Sequence, residues 1–381
     1  MLYLIYAASS VITGPLVTFF PRQHTLDHSR SWLCTCVHGR GETRHAAGPS
    51  YRPKRLLAIS QGDPQTNSTF VVIADNTQRV PYATLSYKWG QGQEPILTKK
   101  MLREGPGSLQ FHIDRLPQTI ADAVFVCQSL GIGYLWVDAL CIIQDDGQDK
   151  AEQIGQMQQI YSQSTITIVA SRANSSRDGF LHPRLLGDAY CRLTYRSKGG
   201  NEGSIILHRV SRQEEALEPL HERGWAYQEF LLPPRVIDYG RLQTKYHCRE
   251  CESTITDGGR SSESAKMLLT RRGAFYELLK RCRATWNLKY MWCLFVEECS
   301  RRHLTIPADR LNAFSAIAEV VSKLTDQMDE YLAGHWRSNL PRSLMWRNLD
   351  ELGVKYHSSE EYIAPSWSWA SVVGKVRFGG G

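Results

Sequence analysis

The sequence predicts an α/β fold: a parallel sheet flanked by helices, with a C-terminal helical lobe. Three observations carry this. Residues 82–87, 134–138 and 165–170 are short apolar, β-prone runs, and 116–131 and 150–162 between them carry apolar residues at helical spacing. Strand, helix, strand, helix, strand is the signature of right-handed βαβ units. The run Tyr134-Leu135-Trp136-Val137 is apolar on both faces, as a central strand covered on both sides must be. Beyond residue 253 the apolar spacing changes to three and four residues, which builds helices.

Residues 1–21 carry no charge before Arg22 and hold Leu2, Leu4, Ile5, Val11, Ile12, Leu16, Val17, Phe19 and Phe20. A targeting segment or membrane anchor therefore stands against a buried strand or helix. The missing basic flank and the dilution by Ser9, Ser10, Thr13, Gly14, Pro15 and Thr18 favour the latter. Residues 31–51 read as a loop, and Cys34-Thr35-Cys36 near His38 has the wrong spacing for a zinc knuckle. Residues 55–60 and 69–75 read as a hairpin at the edge of the sheet, joined by a turn rich in Gly, Pro and Asn.

Residues 82–87 are read as a buried strand that opens into Lys88-Trp89-Gly90-Gln91-Gly92, where glycine permits a turn. Ligands of open α/β sheets sit outside the carboxyl ends of strands. A strand delivering Ser86, Tyr87, Lys88 and Trp89 to that edge is either half of a site or a core strand with an anchored turn. A helix follows, with Pro117 in its first turn, Ile120, Ala123, Val124, Cys127 and Leu130 inward, and Gly131 as its stop. Asp138 closes the next strand, either as a cap for the following segment or as a site carboxylate. An acidic turn at 145–149 precedes a helix with Ile154, Met157 and Tyr161 on one stripe.

Residues 172–203 form a long excursion and 204–210 a further strand. The run from Arg223 to Arg235 then reads helically through Trp225, Gln228 and Glu229 until Pro233-Pro234 stops it. Trp225 and Glu229 are four apart and share a helix face, which leaves a surface glutamate beside a packed indole or a site carboxylate. His247-Cys248-Arg249-Glu250-Cys251 holds one Cys-x-x-Cys without a second pair, so no metal is expected. Helices are expected at 263–282, at 286–301 and through Leu311, Phe314, Ile317, Val321 and Leu324. Residues 364–371 alternate small and aromatic side chains, as a terminal strand or an extended segment tucked against the core would. The organisation read from this is an apolar segment and loop at 1–50, the α/β domain at 51–255, and a helical region with a terminal strand at 256–381.

The net charge of +7, from 45 Lys and Arg against 38 Asp and Glu, is small for this length, and residues 111–180 run acidic, so nucleic acid is not an expected partner. The ten cysteines are scattered, several within apolar runs, as reduced thiols of a cytoplasmic protein would be, and no disulfide is expected.

Four blocks resemble the fungal heterokaryon incompatibility (HET) domain proteins, in the family's order. They are Tyr82-Ala83-Thr84-Leu85-Ser86-Tyr87-Lys88-Trp89-Gly90; the stretch from Leu116-Pro117 to Trp136-Val137-Asp138 and on to Asp145; Arg223-Gly224-Trp225-Ala226-Tyr227-Gln228-Glu229; and Asp309-Arg310-Leu311 with Ala364-Pro365-Ser366-Trp367-Ser368-Trp369-Ala370-Ser371. The resemblance implies non-self recognition between fungal cells, programmed cell death, an unknown incompatibility partner protein and a homo-oligomer. It also implies remote likeness to Toll/interleukin-receptor (TIR) domains, hence a TIR/flavodoxin-like core, although the insertion at 172–222 departs from their compact spacing. There a strand ending in Ser-Tyr opens the fold and a Trp-x-x-x-Glu helix carries the catalytic glutamate of those members that cleave NAD. By that likeness Glu229 is the catalytic candidate, with Ser86, Tyr87 and Trp225 from the same motifs; Lys88, Trp89, Gly90, Asp138 and Arg223 join them as ligand-binding candidates by their place at strand ends and at the helix entry, NAD would be substrate rather than cofactor, and membrane attachment is not expected. One carboxylate is enough chemically: the nicotinamide is already cationic, and the barrier lies at an oxocarbenium-like ribosyl centre that a fixed anion stabilises. Trp89 or Trp225 would stack on a flat ring, and Lys88 or Arg223 would meet phosphates. The other reading is a non-enzymatic module that self-associates and passes on a death signal.

Overall fold

The computed structural model describes residues 2–7, 17–18, 26–27, 29–34, 51–60, 69–75, 78–92, 95–185, 190–196, 202–209, 218–241, 244–248, 254–256, 259–261, 285–304, 306–324, 329–349 and 362–379. Its centre is a ten-stranded sheet. In chain order the strands are β1 (Arg55–Ile59), β2 (Phe70–Asp75), β3 (Ala83–Ser86), β4 (Gln110–His112) and β5 (Tyr134–Trp136). They continue with β6 (Ile166–Val169), β7 (Arg235–Tyr239), β8 (Thr244–Cys248), β9 (Thr254–Thr256) and β10 (Gly259–Ser261). The spatial order is β10-β9-β8-β7-β6-β3-β5-β1-β2-β4.

The three strands read from the sequence lie side by side and parallel, with β3 in the middle: Ala83 faces Leu135 on one side and Ile166 on the other. β7 joins β6 as a fourth parallel strand. The sequence pattern marks only a stop at Pro233-Pro234, yet all five residues that follow are buried in β7. β1 and β2 form the expected antiparallel hairpin, but β4 pairs outside β2 and is the edge strand. All four residues of β3 and of β6 are buried, as strands covered on both faces require.

The helices that position the site are α1 (Gln118–Leu130), α2 (Asp138–Cys141), α3 (Gly147–Ser162) and α4 (Ala226–Leu231). α1 follows Pro117 and ends at Gly131, whose φ of 73° is open to glycine at little cost. α3 starts earlier than the apolar spacing shows, because the Asp146 carboxylate caps the N–H groups of Gln148 and Asp149. Its buried stripe is Gln153, Met157, Ile160 and Tyr161, with Ile154 only half buried.

One core packs around the sheet, with Leu57, Leu85, Leu135, Trp136, Ile160 and Ile168 fully or nearly fully buried. Each aliphatic side chain of this kind stabilises by about 1.5–3 kcal/mol. Cys127, Cys141 and Cys293 are buried thiols, as expected. A second core joins α5 (Thr285–Ser300) and α6 (Asn312–Leu324) to Trp336, Trp369 and Val376, and it takes Tyr227 and Leu231 from α4. The expected terminal strand at 364–371 is instead a turn: the Ser368 hydroxyl caps the N–H of Ala370, the 3₁₀ segment Trp369–Ser371 follows, and the Trp369 indole donates to the Gly334 carbonyl. Alternating size was a packing pattern there, not a pleat.

In the 172–203 excursion, Tyr190–Arg196 pairs with Glu202–Arg209, and Leu2–Ala7 pairs with the other edge of that second strand. Among the described residues no helix is long and apolar enough to cross a membrane. The expected helix at 263–282, and Cys36, His38 and Cys251, lie outside the described residues.

Candidate functional site

The site is assembled at the carboxyl ends of β3, β5 and β6. The Ser86 carbonyl receives the N–H of Ala170 at 3.0 Å, which closes the β3–β6 ladder and turns the next residues out of the sheet. Gly90 makes that turn possible twice over. Its φ is +74°, and a Cβ there would stand 2.5 Å from the Ser175 Cβ. The opposing loop is pinned to the start of α1: Thr119 Oγ1 donates to the Ser175 carbonyl at 3.0 Å, and Asp122 Oδ2 accepts from the N–H groups of Phe180 and Leu181 at 2.7 and 2.9 Å.

α4 brings in the carboxylate. Glu229 is 1% exposed, and Ser86 Oγ donates to its Oε2 at 2.5 Å. Of the two alternatives left by the Trp225 and Glu229 spacing, the surface glutamate is therefore excluded. Just before α4, Arg223 reaches inward: Nη1 donates to the Tyr87 carbonyl at 2.6 Å, and Nη2 lies 3.4 Å from Asp138 Oδ2. Asp138 is not the cap of the next segment: it is the first residue of α2, which Val137 precedes and no side chain caps. Its Oδ1 accepts from the N–H of Ala139 at 2.8 Å at the start of α2, and its Oδ2 accepts from the Trp89 indole at 2.9 Å.

The charges are arranged against each other. Burial pushes the Glu229 carboxyl up; the Arg223 guanidinium and the Ser86 hydroxyl oppose this, Asp138 adds to it, and the net shift is upward. Burial works against the Arg223 charge, yet Glu229 and Asp138 more than offset it and hold the guanidinium above its ordinary range. Burial, reinforced by Asp138, raises the fully buried Tyr87 phenol in the same way. A carboxylate raised by desolvation beside a fixed cation is a frequent signature of functional sites.

The structure thus brings Ser86, Tyr87, Trp89, Asp138, Arg223 and Glu229 into one cluster. Lys88 stays at the rim, paired with Glu222 at 3.3 Å between two well-exposed side chains. Gly90 shapes the backbone, and Trp225 is half buried against the main core at the start of α4. Tyr161 was missed. It read as one more member of the α3 stripe, but its phenol donates to the Leu85 carbonyl at 3.1 Å, and burial, then Glu229 and Asp138, push it well above its ordinary range. The available signal was a hydroxyl in an otherwise aliphatic stripe. Among the described residues no group of three or more His, Cys, Asp or Glu side chains stands ready to hold a metal.

No curated protein and no solved structure matches the chain. Residues 82–229, from the residue before β3 to the buried carboxylate itself, match the family model described as Heterokaryon incompatibility protein (HET).

Proposed function

We propose that this chain acts in the cytoplasm in fungal non-self recognition, and that its heterokaryon incompatibility domain drives cell death by cleaving NAD at Glu229. The observation that supports this reading is the convergence of a buried carboxylate, a fixed guanidinium and an indole at the carboxyl edge of parallel strands. In the reaction the bond between nicotinamide and ribose C1′ breaks, and its electron pair leaves with the nicotinamide. The Glu229 anion stabilises the ribosyl cation, water adds at C1′, and its proton passes to solvent. Arg223 and Lys88 meet the phosphates, and Trp89 stacks on a ring.

Glu229 is closed off by Ser86 in the form described, so cleavage requires that bond to open, which self-association of the chain would promote. The test is nicotinamide release from NAD by the purified protein, with and without an enforced oligomer. Release that disappears in Glu229→Gln supports the proposal. No release under either condition overturns it in favour of the second reading, a non-enzymatic self-associating module, which the near-complete burial of Glu229 independently favours.

A further inference from the structure

α4 is held from behind by a segment that lies beyond the family match. After α5 ends, the chain turns through Arg302, His303 and Leu304 and runs beside the entry to α4. His303 forms a parallel bridge with Arg223, its N–H donates to the Glu222 carbonyl at 2.6 Å, and its carbonyl accepts from the N–H of Gly224 at 2.8 Å. The contact is close: a Cβ on Gly224 would stand 2.5 Å from Leu304 Cδ2 and 2.6 Å from its Cγ, so the leucine would have to move. One residue earlier, the Arg302 guanidinium lies 4.7 Å over the Tyr227 ring and 3.7 Å from Glu298.

The turn therefore grips both ends of a short lever. Arg223 has its main chain fixed by His303, and its guanidinium crosses to Tyr87 and Asp138. Tyr227, one turn on, is packed against α5 and α6. A long side chain such as Arg loses much rotamer freedom when ordered, so a main chain already fixed lowers the cost of holding it in one place.

We infer that the turn formed by Arg302, His303 and Leu304 is the positioning element of the Glu229 site: it holds Arg223 on the Tyr87 carbonyl and Asp138, and the C-terminal lobe thereby sets the state of the site. The consequence for NAD cleavage rests on the function proposed above; the positioning itself does not.

The test uses the full chain as wild type, Gly224→Ala, Leu304→Ala and the double variant, with Glu229→Gln as a marker. Two readouts need no substrate. One is amide hydrogen exchange across residues 222–231 compared with β3 and β6. The other is the pH at which the infrared band of the protonated Glu229 carboxyl, identified by its loss in Glu229→Gln, disappears. Gly224→Ala is expected to raise exchange at 222–231 by about tenfold while β3 and β6 keep their protection. Its carboxyl band should persist to higher pH, because Arg223 is released and the other groups facing Glu229, namely Ser86, Asp138, Tyr87 and Tyr161, supply no cation. Leu304→Ala should move both readouts in the same direction by about threefold or less, and the double variant, with room for the new methyl, should return towards wild type. Unchanged exchange in Gly224→Ala overturns the inference, as does raised exchange with an unmoved titration, which would mark a merely structural turn. Should Gly224→Ala not fold, a double variant that folds and titrates as wild type supports the inference, and one that does not fold overturns it. Nicotinamide release is followed in all these proteins; its absence from wild type counts against the NAD reading alone.

Discussion

Two buried carboxylates in this protein have opposite fates. Asp149 on α3 is 4% exposed, Glu229 on α4 is 1% exposed, and each has an arginine close by. Burial works against the Asp149 charge, but the Arg55 guanidinium, the N–H of Ile143 at 2.9 Å and Lys54 at 3.0 Å hold its carboxyl down at about 2. Burial, with Asp138 adding to it, outweighs what Arg223, the Ser86 hydroxyl at 2.5 Å and Tyr161 supply to Glu229, and its carboxyl rises. A buried charge with its bonds filled is structural, whereas one left short of donors has binding capacity to spare. The Arg223 guanidinium bonds Asp138 and the Tyr87 carbonyl and acts on Glu229 only through its charge, while Arg55 serves Asp149 and the Cys141 carbonyl.

The sharpest way to break this contrast is to remove each carboxylate. Asp149→Ala strands a buried Arg55 and is expected to cost about 3–5 kcal/mol in denaturant unfolding. A loss under about 1 kcal/mol would mean the pair is not structural. Glu229→Gln keeps the shape of the protonated acid and can still accept from Ser86. It should unfold within about 1 kcal/mol of wild type while nicotinamide release falls by about 10²–10³. Large destabilisation with unchanged release would exchange the two roles.

Next in size is Gly90→Ala, which meets both the positive φ and the Ser175 Cβ and should cost about 1–3 kcal/mol. Its unfolding midpoint tells whether the loop that carries Trp89 is held as rigidly as the geometry requires. The smallest effect sharpens the contrast through pH. The folded Asp149 carboxyl lies below its ordinary 3.8, so its contribution is present above that value and is lost as pH falls towards about 2. Glu229 lies above its ordinary 4.5, so its contribution is full below 4.5 and is lost as pH rises through the folded value. Stability differences between wild type and Asp149→Asn should therefore shrink on acidification, and those between wild type and Glu229→Gln should turn against wild type as pH rises above 4.5. Equal slopes would remove the distinction.

The sequence made much of the site legible because its parts sit where local signals are strong. Ser86 to Gly90 follow a β-prone run that ends in a glycine turn, Asp138 closes an apolar run, and Glu229 follows a tryptophan at helix spacing. It did not separate Asp149 from Glu229, since each read as an acid on or next to a helix. Tyr161 and the turn at 302–304 were equally hidden, one inside an apolar stripe and the other beyond the strongest motifs.

What the sequence determined by itself was local: three β-prone runs with two helical spacings between them, helix limits at Pro117 and Gly131, the stop at Pro233-Pro234 and the turn at Gly90. These follow from side-chain period and from the φ angles that proline and glycine permit, and they are written within a few residues. Tertiary structure alone decided that β3 lies between β5 and β6, that residues 364–371 turn instead of pairing, and that Glu229 is enclosed by Ser86, Arg223 and Tyr161. The partners that set the ionisation of a buried carboxylate arrive from distant parts of the chain, Ser86 from 143 residues away, and no local pattern specifies which of them will meet it.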